Sequence, residues 1–276
     1  SNLCTEITLN TSEDEIAVCN LGSVNLPNHL KENGELDEKK IESTVATAIR
    51  MLDNVIDINY YAVPQAKNSN AKHRPIGLGL MGFQDALYIR KTPYASDEAV
   101  EFADNSMEMI SYYAIKSSSD LAKERGTYSS YEGSLWSQGI MPLDSISIVE
   151  DQRGEGYIEV DKSMKMDWNA LKKIVKTQGM RNSNVMAIAP TATIANITGL
   201  TQSIEPTYSN LFVKSNLSGE FTVINMHLVD ALKEIDMWDE VMVYDLKNLN
   251  GSLEGINRVP EEIKKLFATS FEVEPR

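Results

Sequence analysis

Cysteine is scarce in this sequence: Cys4 and Cys19 are the only two among 276 residues. That excludes a scaffold built on disulfides, and a pair this sparse in a reducing compartment either packs, reacts or does neither. Histidine is equally thin, with His29, His73 and His227 far apart and none in an H-E-x-x-H arrangement, so a zinc site has little support and no metal ligands are assigned. No apolar run approaches the ~20 residues that span a bilayer. The opening SNLCTEITLNTSEDE has no signal-peptide character, and the expected location is cytoplasmic. Positive charge is in deficit too. Lys and Arg total 26 against 40 Asp and Glu, and a net charge of -14 repels nucleic-acid polymers and anionic membranes. There is no G-x-S-x-G elbow, no repeat of fixed period and no low-complexity tract, which disfavours a hydrolase and a solenoid. Asn-X-Ser/Thr triplets at Asn10, Asn196, Asn216 and Asn250 carry no weight in a chain that nothing directs to secretion.

What is present is an ordinary globular composition, 42% hydrophobic and 24% charged. A chain of this length can bury roughly 70–75% of its unfolded surface. Ile41, Val45, Ala48, Ile49, Leu52, Val55 and Ile56 recur at three- and four-residue steps and predict an amphipathic helix over 38–60. Residues 74–82, RPIGLGLMG, predict a short strand that something approaches closely, followed by a helix from Phe83 to Arg90. Ser96 ahead of Asp97 and Glu98 predicts the N-cap of a long helix running to Arg125, with Gly126 just past its end. Residues 126–166 lose periodicity and predict a long surface connection with one short hairpin. Asp167 predicts the cap of a helix from Trp168 to Gln178, and the apolar run Val185–Ala189 predicts a strand covered on both faces. Pro260-Glu261-Glu262 opens a last helical pattern through Ile263, Leu266, Phe267 and Phe271 that looks cut at Arg276, as the start at Ser1 without a methionine also suggests. Helices alternating with strands predict an α/β architecture with parallel strands.

Three segments carry candidate chemistry. Gly77-Leu78-Gly79-Leu80-Met81-Gly82 matches the G-x-G-x-x-G dinucleotide pattern. A nicotinamide fold also needs an acid about 20 residues on, and Asp97, Glu98 and Glu101 fall in a helix's first turn instead, which favours close packing of a strand. Pro190-Thr191-Ala192-Thr193-Ile194 follows the 185–189 run and precedes a helical turn. Its amides and two hydroxyls form an anion cradle, unless Thr191 simply caps a helix. At the N-terminus Asn2, Cys4 and Glu6 alternate, so an extended segment would project an amide, a thiol and a carboxylate from one side. Such a set can hold a hydroxyl, carry a radical-capable sulfur and act as a base; a strand without chemistry shows the same alternation.

Together these segments resemble the large, catalytic subunit of class I ribonucleotide reductase. Ser1-Asn2-Leu3-Cys4-Thr5-Glu6-Ile7 is similar to that family's finger-loop motif, and Asp14-Glu15-Ile16-Ala17-Val18-Cys19-Asn20-Leu21 to the segment bearing its second active-site cysteine. His73-Arg74-Pro75-Ile76-Gly77-Leu78-Gly79, Tyr131-Glu132-Gly133-Ser134, Arg181-Asn182-Ser183, Pro190-Thr191-Ala192-Thr193 and Ser203-Ile204-Glu205-Pro206 follow in the family's order. The resemblance runs over all 276 residues and implies a single partial domain: the later half of a ten-stranded α/β barrel with its finger loop. The regulatory N-terminal region, the first barrel strands and the C-terminal tail would be absent.

The resemblance also implies roles. Cys4 would become the thiyl radical that takes the ribose 3′ hydrogen, Glu6 would accept the 3′-hydroxyl proton, and Asn2 would bind the ribose hydroxyls. Cys19 would supply reducing equivalents with a partner cysteine outside this chain, re-reduced by thioredoxin or glutaredoxin. Pro190, Thr191, Ala192, Thr193 and Ile194 would hold the diphosphate of a ribonucleoside diphosphate. No cofactor is expected in the chain itself; a metal-containing small subunit would supply the radical, and ATP or dNTP effectors would bind regions largely absent here. The remaining segments of the large subunit and the small subunit are the expected partners. The competing readings are a non-catalytic assembly module and a nicotinamide-dependent oxidoreductase.

Overall fold

The computed structural model describes residues 4–154, 156 and 160–274. The chain divides into two compact units. One comprises Ser1–Val24, Asp37–Leu80 and Asp104–Pro190, the other Asn25–Leu36, Met81–Ala103 and Thr191–Arg276.

In the first unit the expected amphipathic helix forms as α1 (Glu38–Ile58), started by Asp37, whose side chain accepts from the Lys40 amide. Ile41, Val45, Ile49 and Ile56 line its buried stripe, and one acid, Asp53, shares that stripe with no solvent exposure. A shorter helix, α2 (Pro64–His73), ends at Arg74 in the left-handed region with φ 46°. β1 (Leu21–Asn25) pairs with β2 (Gly77–Met81). Bonds from Gly77 N to Asn20 O and from Leu26 N to Met81 O advance together along both chains, the parallel sense. The apolar run 185–189 is not a full strand. It meets β2 at one parallel bridge, Leu78 to Met186, through bonds from Leu78 N to Val185 O (2.9 Å) and Ala187 N to Leu78 O (3.1 Å). Val185, Ala187 and Ala189 are buried while Met186 and Ile188 are half-buried, so one face is covered rather than both.

The long helix forms as α4 (Asp97–Arg125), capped by Ser96 Oγ accepting from Ala99 N, with Gly126 at φ 84° after it. Residues 126–166 contain no hairpin among the described residues; they hold a helix instead, α5 (Asp144–Arg153), with no buried residue. Tyr128 and Met141 tie this stretch to the core. α6 (Trp168–Gln178) is capped by Asp167 as expected.

Arg74 joins α1 to the rest of this unit. Its Nε bonds Asp53 Oδ1 at 2.8 Å, one terminal nitrogen bonds the Asp53 carbonyl, and both terminal nitrogens clamp Asp57 at 2.7 and 2.8 Å. Arg125 reaches Asp53 Oδ2 at 3.1 Å, Arg181 reaches it at 3.4 Å, and Asn182 donates to Oδ1 at 3.2 Å and to the Arg74 carbonyl at 3.0 Å. Burial opposes the charge on Arg74, but the bonds to Asp57 and Asp53 outweigh it and raise the guanidinium above its ordinary value; Asp57 is correspondingly lowered, chiefly by Arg74.

In the second unit a 3-10 turn at Pro27–His29 precedes α3 (Phe83–Ile89), and α7 (Ala192–Thr198) comes later. Sequence reading did not find the antiparallel hairpin of β3 (Leu211–Asn216) and β4 (Gly219–Ile224), in register from Leu211 opposite Ile224 to Asn216 opposite Gly219. α8 (Met226–Glu234) and α9 (Glu240–Asn248), capped by Asn225 and Asp239, bury Leu228, Leu232, Met242 and Leu246 with Tyr88, Leu253 and Phe267. α10 (Glu261–Leu266) is short: Phe267 is buried just after it and Phe271 is exposed, so the helix stops at Leu266 and does not run on to Phe271. Asn210 is fully buried and staples this unit by donating to the Gly251 and Phe267 carbonyls.

The molecule therefore mixes helices and strands, with β1 and β2 parallel and no closed barrel among the described residues. Removing a buried acid that three guanidinium groups share leaves their charges uncompensated. Asp53→Ala is expected to cost about 3–5 kcal/mol in urea unfolding; a loss below about 1 kcal/mol would mean the cluster is ornamental.

Candidate functional site

The N-terminal candidates do not sit on an extended strand. Residues 4–7 form a turn followed by bends, and Thr5 has φ 61°, in the left-handed region, so the expected same-side alternation of Cys4 and Glu6 is broken. Asn2 lies outside the described residues. Cys4 is exposed. Glu6 is half-buried, and its Oε2 is shut off from solvent without a hydrogen-bond partner among the described residues. A buried carboxylate oxygen in that state is an acceptor awaiting a donor.

The chain then turns inward. Ile7 and Leu9 are buried with Ala187, and Ala17, Cys19 and Leu21 pack against this small cluster. The fold thus lays the residues that follow Cys4 and Glu6 beside the segment bearing Cys19. Neither cysteine is in a disulfide.

The link between these segments holds a group that sequence reading missed. Glu15 is 4% exposed; Lys72 Nζ meets its Oε1, while His73 Nε2 and Asn10 Nδ2 each lie 3.0 Å from Oε2. Lys72 first and His73 second hold the carboxyl down to about 2. A lowered carboxyl contributes stability above its ordinary unfolded value, which is lost as pH falls toward the folded one. The signal was available: Asp14-Glu15 opens directly onto the apolar residues Ile16, Ala17 and Val18, and Asp53 likewise interrupts an apolar stripe. A cavity of about 220 Å³ lies alongside, lined by Leu9, Asn10, Ser69, His73, Pro75 and Asn184 among others.

The loop 190–194 is placed by its neighbours. Pro190 ends the last stretch of the first unit, and Thr191, at the N-cap of α7, begins the last stretch of the second. Thr191 is 2% exposed, yet its hydroxyl does not cap the helix; it accepts from Ser203 N at 2.7 Å. Thr191 therefore occupies the cap position without a capping bond, and its hydroxyl, accepting from Ser203 N, keeps its own proton. Ala192, Thr193 and Ile194 are exposed, and no acid stands in the first turn to compete with an anion. Asp85 pins the neighbouring strand of chain, accepting from Thr201 N at 2.7 Å and Thr201 Oγ1 at 2.6 Å. Burial pushes Asp85 up, but His227 and Thr201 outweigh it and leave the carboxyl below its ordinary value.

The glycine motif belongs to packing. A Cβ on Gly79 would lie 2.3 Å from the Ala187 carbonyl oxygen, and one on Gly77 would lie 2.6 Å from Ala187 Cβ. Gly82, at φ 74°, approaches the Pro27 ring, and the amides opening α3 are already taken: Gly82 N by Thr201 O and Phe83 N by Ser203 O. No room is left for a pyrophosphate against Gly77 and Gly79, which removes the basis of the nicotinamide reading. Among the described residues no cluster of His, Cys, Asp and Glu could hold a metal, and no helix is long and apolar enough to cross a membrane.

Comparison with known proteins gives one family: a model described as ribonucleotide reductase, barrel domain, matches residues 1–276. The chain is 59% identical over 275 residues to the ribonucleoside-diphosphate reductase subunit alpha of Chlamydia muridarum, covering 100% of this chain and 26% of that protein. It is 40% identical to the large subunit of Danio rerio and 39% identical to the large chain of Schizosaccharomyces pombe. These matches cover 99% of this chain, and 33% and 32% of those proteins respectively. The chain thus spans about a quarter to a third of the length of these relatives.

Because the added methyl of Gly79→Ala meets backbone rather than a movable side chain, the substitution is expected to cost about 1–3 kcal/mol in thermal or urea unfolding. Isothermal titration with NADH should show no saturable binding to either form; binding that Gly79→Ala abolishes would restore the dinucleotide assignment.

Proposed function

Since the chain belongs to the ribonucleotide reductase barrel-domain family, we propose that it is the catalytic segment of a ribonucleoside-diphosphate reductase, the later half of a ten-stranded α/β barrel carrying the finger loop. On this reading residues 1–276 are one partial domain of a cytoplasmic large subunit. Turnover needs that subunit's remaining segments.

The reaction exchanges a ribose 2′-hydroxyl for hydrogen: a ribonucleoside diphosphate and two thiols become the deoxyribonucleoside diphosphate, a disulfide and water. Cys4 carries the thiyl radical, removes the 3′ hydrogen and later returns one. The radical comes from a metal-containing small subunit, outside this chain. Glu6 takes the 3′-hydroxyl proton, which makes loss of the 2′-hydroxyl as water easier, and Asn2 holds the ribose hydroxyls. Cys19 and a cysteine elsewhere in the large subunit give up the two electrons, and thioredoxin or glutaredoxin reduces the resulting disulfide. Pro190, Thr191, Ala192, Thr193 and Ile194 hold the diphosphate through the first-turn amides of α7 and the exposed Thr193 hydroxyl. ATP and dNTP effectors act on other regions of the subunit.

The observation that carries this reading is Glu6. Its buried Oε2 has no partner among the described residues, two residues from an exposed thiol, and the chain beyond it packs on the segment of Cys19. A carboxylate oxygen kept dry and unpaired suits a base that receives a substrate proton.

The test is conversion of CDP to dCDP by the chain supplied with the other large-subunit segments, a small subunit and a dithiol. Cys4→Ser is expected to abolish product while leaving the fold intact, and Glu6→Gln to lower kcat by about 10²–10⁴-fold with little change in KM. Appreciable turnover by Cys4→Ser would sink the assignment. An assembled complex that binds nucleotide but never yields product would identify a non-catalytic assembly module instead.

A further inference from the structure

One cluster in the first unit takes no part in the chemistry above. The chain leaves the small apolar cluster at Leu9 and returns to it at Ala17. Between them residues 10–14 are all exposed and Ile16 is 48% exposed, so apolar burial does not hold this link. Glu15 is its one buried side chain, and it is an acid.

Among the described residues, the hydrogen bonds and ion pairs that tie the link to the rest of the unit run to α2. The Glu15 carboxylate takes Lys72 on one oxygen and His73, with Asn10, on the other. The Ile16 amide donates to the Gln65 carbonyl at 3.2 Å, and Asn68 Nδ2 donates to the Asp14 carbonyl at 3.0 Å. Ser12 and Glu15 exchange backbone bonds that close the turn. His73 is itself held from behind, its Nδ1 lying 2.6 Å from Ser130 Oγ. Because a carboxylate only accepts, His73 Nε2 donates to it, and every group facing Glu15 is a donor. This is more fixing than an exposed link needs for its own sake. The segments on either side are the ones that carry Cys4, Glu6 and Cys19.

We propose that Glu15 is a positioning residue: clamped by Lys72 and His73 at the end of α2, its carboxylate sets the register between the Cys4–Glu6 segment and the Cys19 segment. The proposal rests on the roles given above to those cysteines, but its first test does not need turnover. Without Glu15 the link keeps two backbone contacts to α2 and no buried side chain. Glutamine is not an adequate substitute, since one acceptor oxygen becomes an amide that faces donors.

The experiment measures iodoacetamide alkylation of Cys19 and Cys4 in the chain, site by site, by mass spectrometry. Releasing the clamp with Glu15→Ala is expected to speed Cys19 labelling by about tenfold, with Glu15→Gln and Lys72→Met intermediate and Cys4 changed by less than about twofold. Arg258→Ala, which breaks an exposed ion pair with Asp239 in the other unit, should leave both rates unchanged. If Glu15→Ala loses its far-UV circular dichroism, Glu15→Gln and Lys72→Met carry the reading. Folded variants whose Cys19 rate stays within about twofold of the parent overturn the proposal. In the complemented reductase, kcat for Glu15→Gln should fall about tenfold or more at an unchanged KM for CDP, because the diphosphate loop is not involved; a rise in KM alone overturns it. Should the unsubstituted complex make no dCDP, the functional reading fails while the labelling rates still decide the role of Glu15.

Discussion

The carboxylate of Asp53 is the constraint on which the first unit is built. It is fully buried on the apolar stripe of α1, a position that costs several kcal/mol for an ion unless donors surround it. Arg74, Arg125, Arg181 and Asn182 supply those donors, from the end of α2, the end of α4 and the chain just before 185–189. One acid therefore fixes where three separated stretches end. It also explains Arg74 at φ 46°: the left-handed turn aims the guanidinium back at α1 while the following residues enter β2. The His73-Arg74-Pro75 and Arg181-Asn182-Ser183 motifs are thus architectural here, and through Gly77 and Gly79 the same stretch sets how closely Ala187 approaches β2.

Elements whose causes are local were legible in the sequence. α1 follows from its apolar spacing, and α4 and α6 from the caps Ser96 and Asp167, each three residues from the amide it binds. Elements decided at a distance were not. The run 185–189 reads as a strand covered on both faces, yet it keeps a single bridge to β2 and covers only one face. The β3–β4 hairpin was overlooked because Phe212, Val213 and Phe221 are largely exposed and the alternation that marks a half-buried strand is weak. α5 buries nothing, so no periodic apolar signal announces it.

The same division holds at the candidate site. Cys4, Glu6, Cys19 and the 190–194 loop could be picked out by residue type and by family resemblance. Thr5 in the left-handed region could not, and it changes how Cys4 and Glu6 are presented. Nor could the bond that the Thr191 hydroxyl accepts from Ser203 N, twelve residues away, while Thr193 stays exposed. Glu15 and Asp53 share one legible trait: each is an acid set against apolar neighbours. The partners that give each its meaning lie 57 and 21 residues along the chain, at Lys72 and Arg74.

The central claim of the proposed function is that the thiol of Cys4, two residues from Glu6, opens the reaction at the ribose 3′ carbon. The most direct measurement is a competitive isotope effect, with CDP and CDP bearing deuterium at C3′ converted together by the complemented enzyme. The account predicts that the deuterated substrate is consumed more slowly, so that it accumulates in the unreacted pool. An unreacted pool whose isotopic composition stays constant while dCDP forms would contradict it.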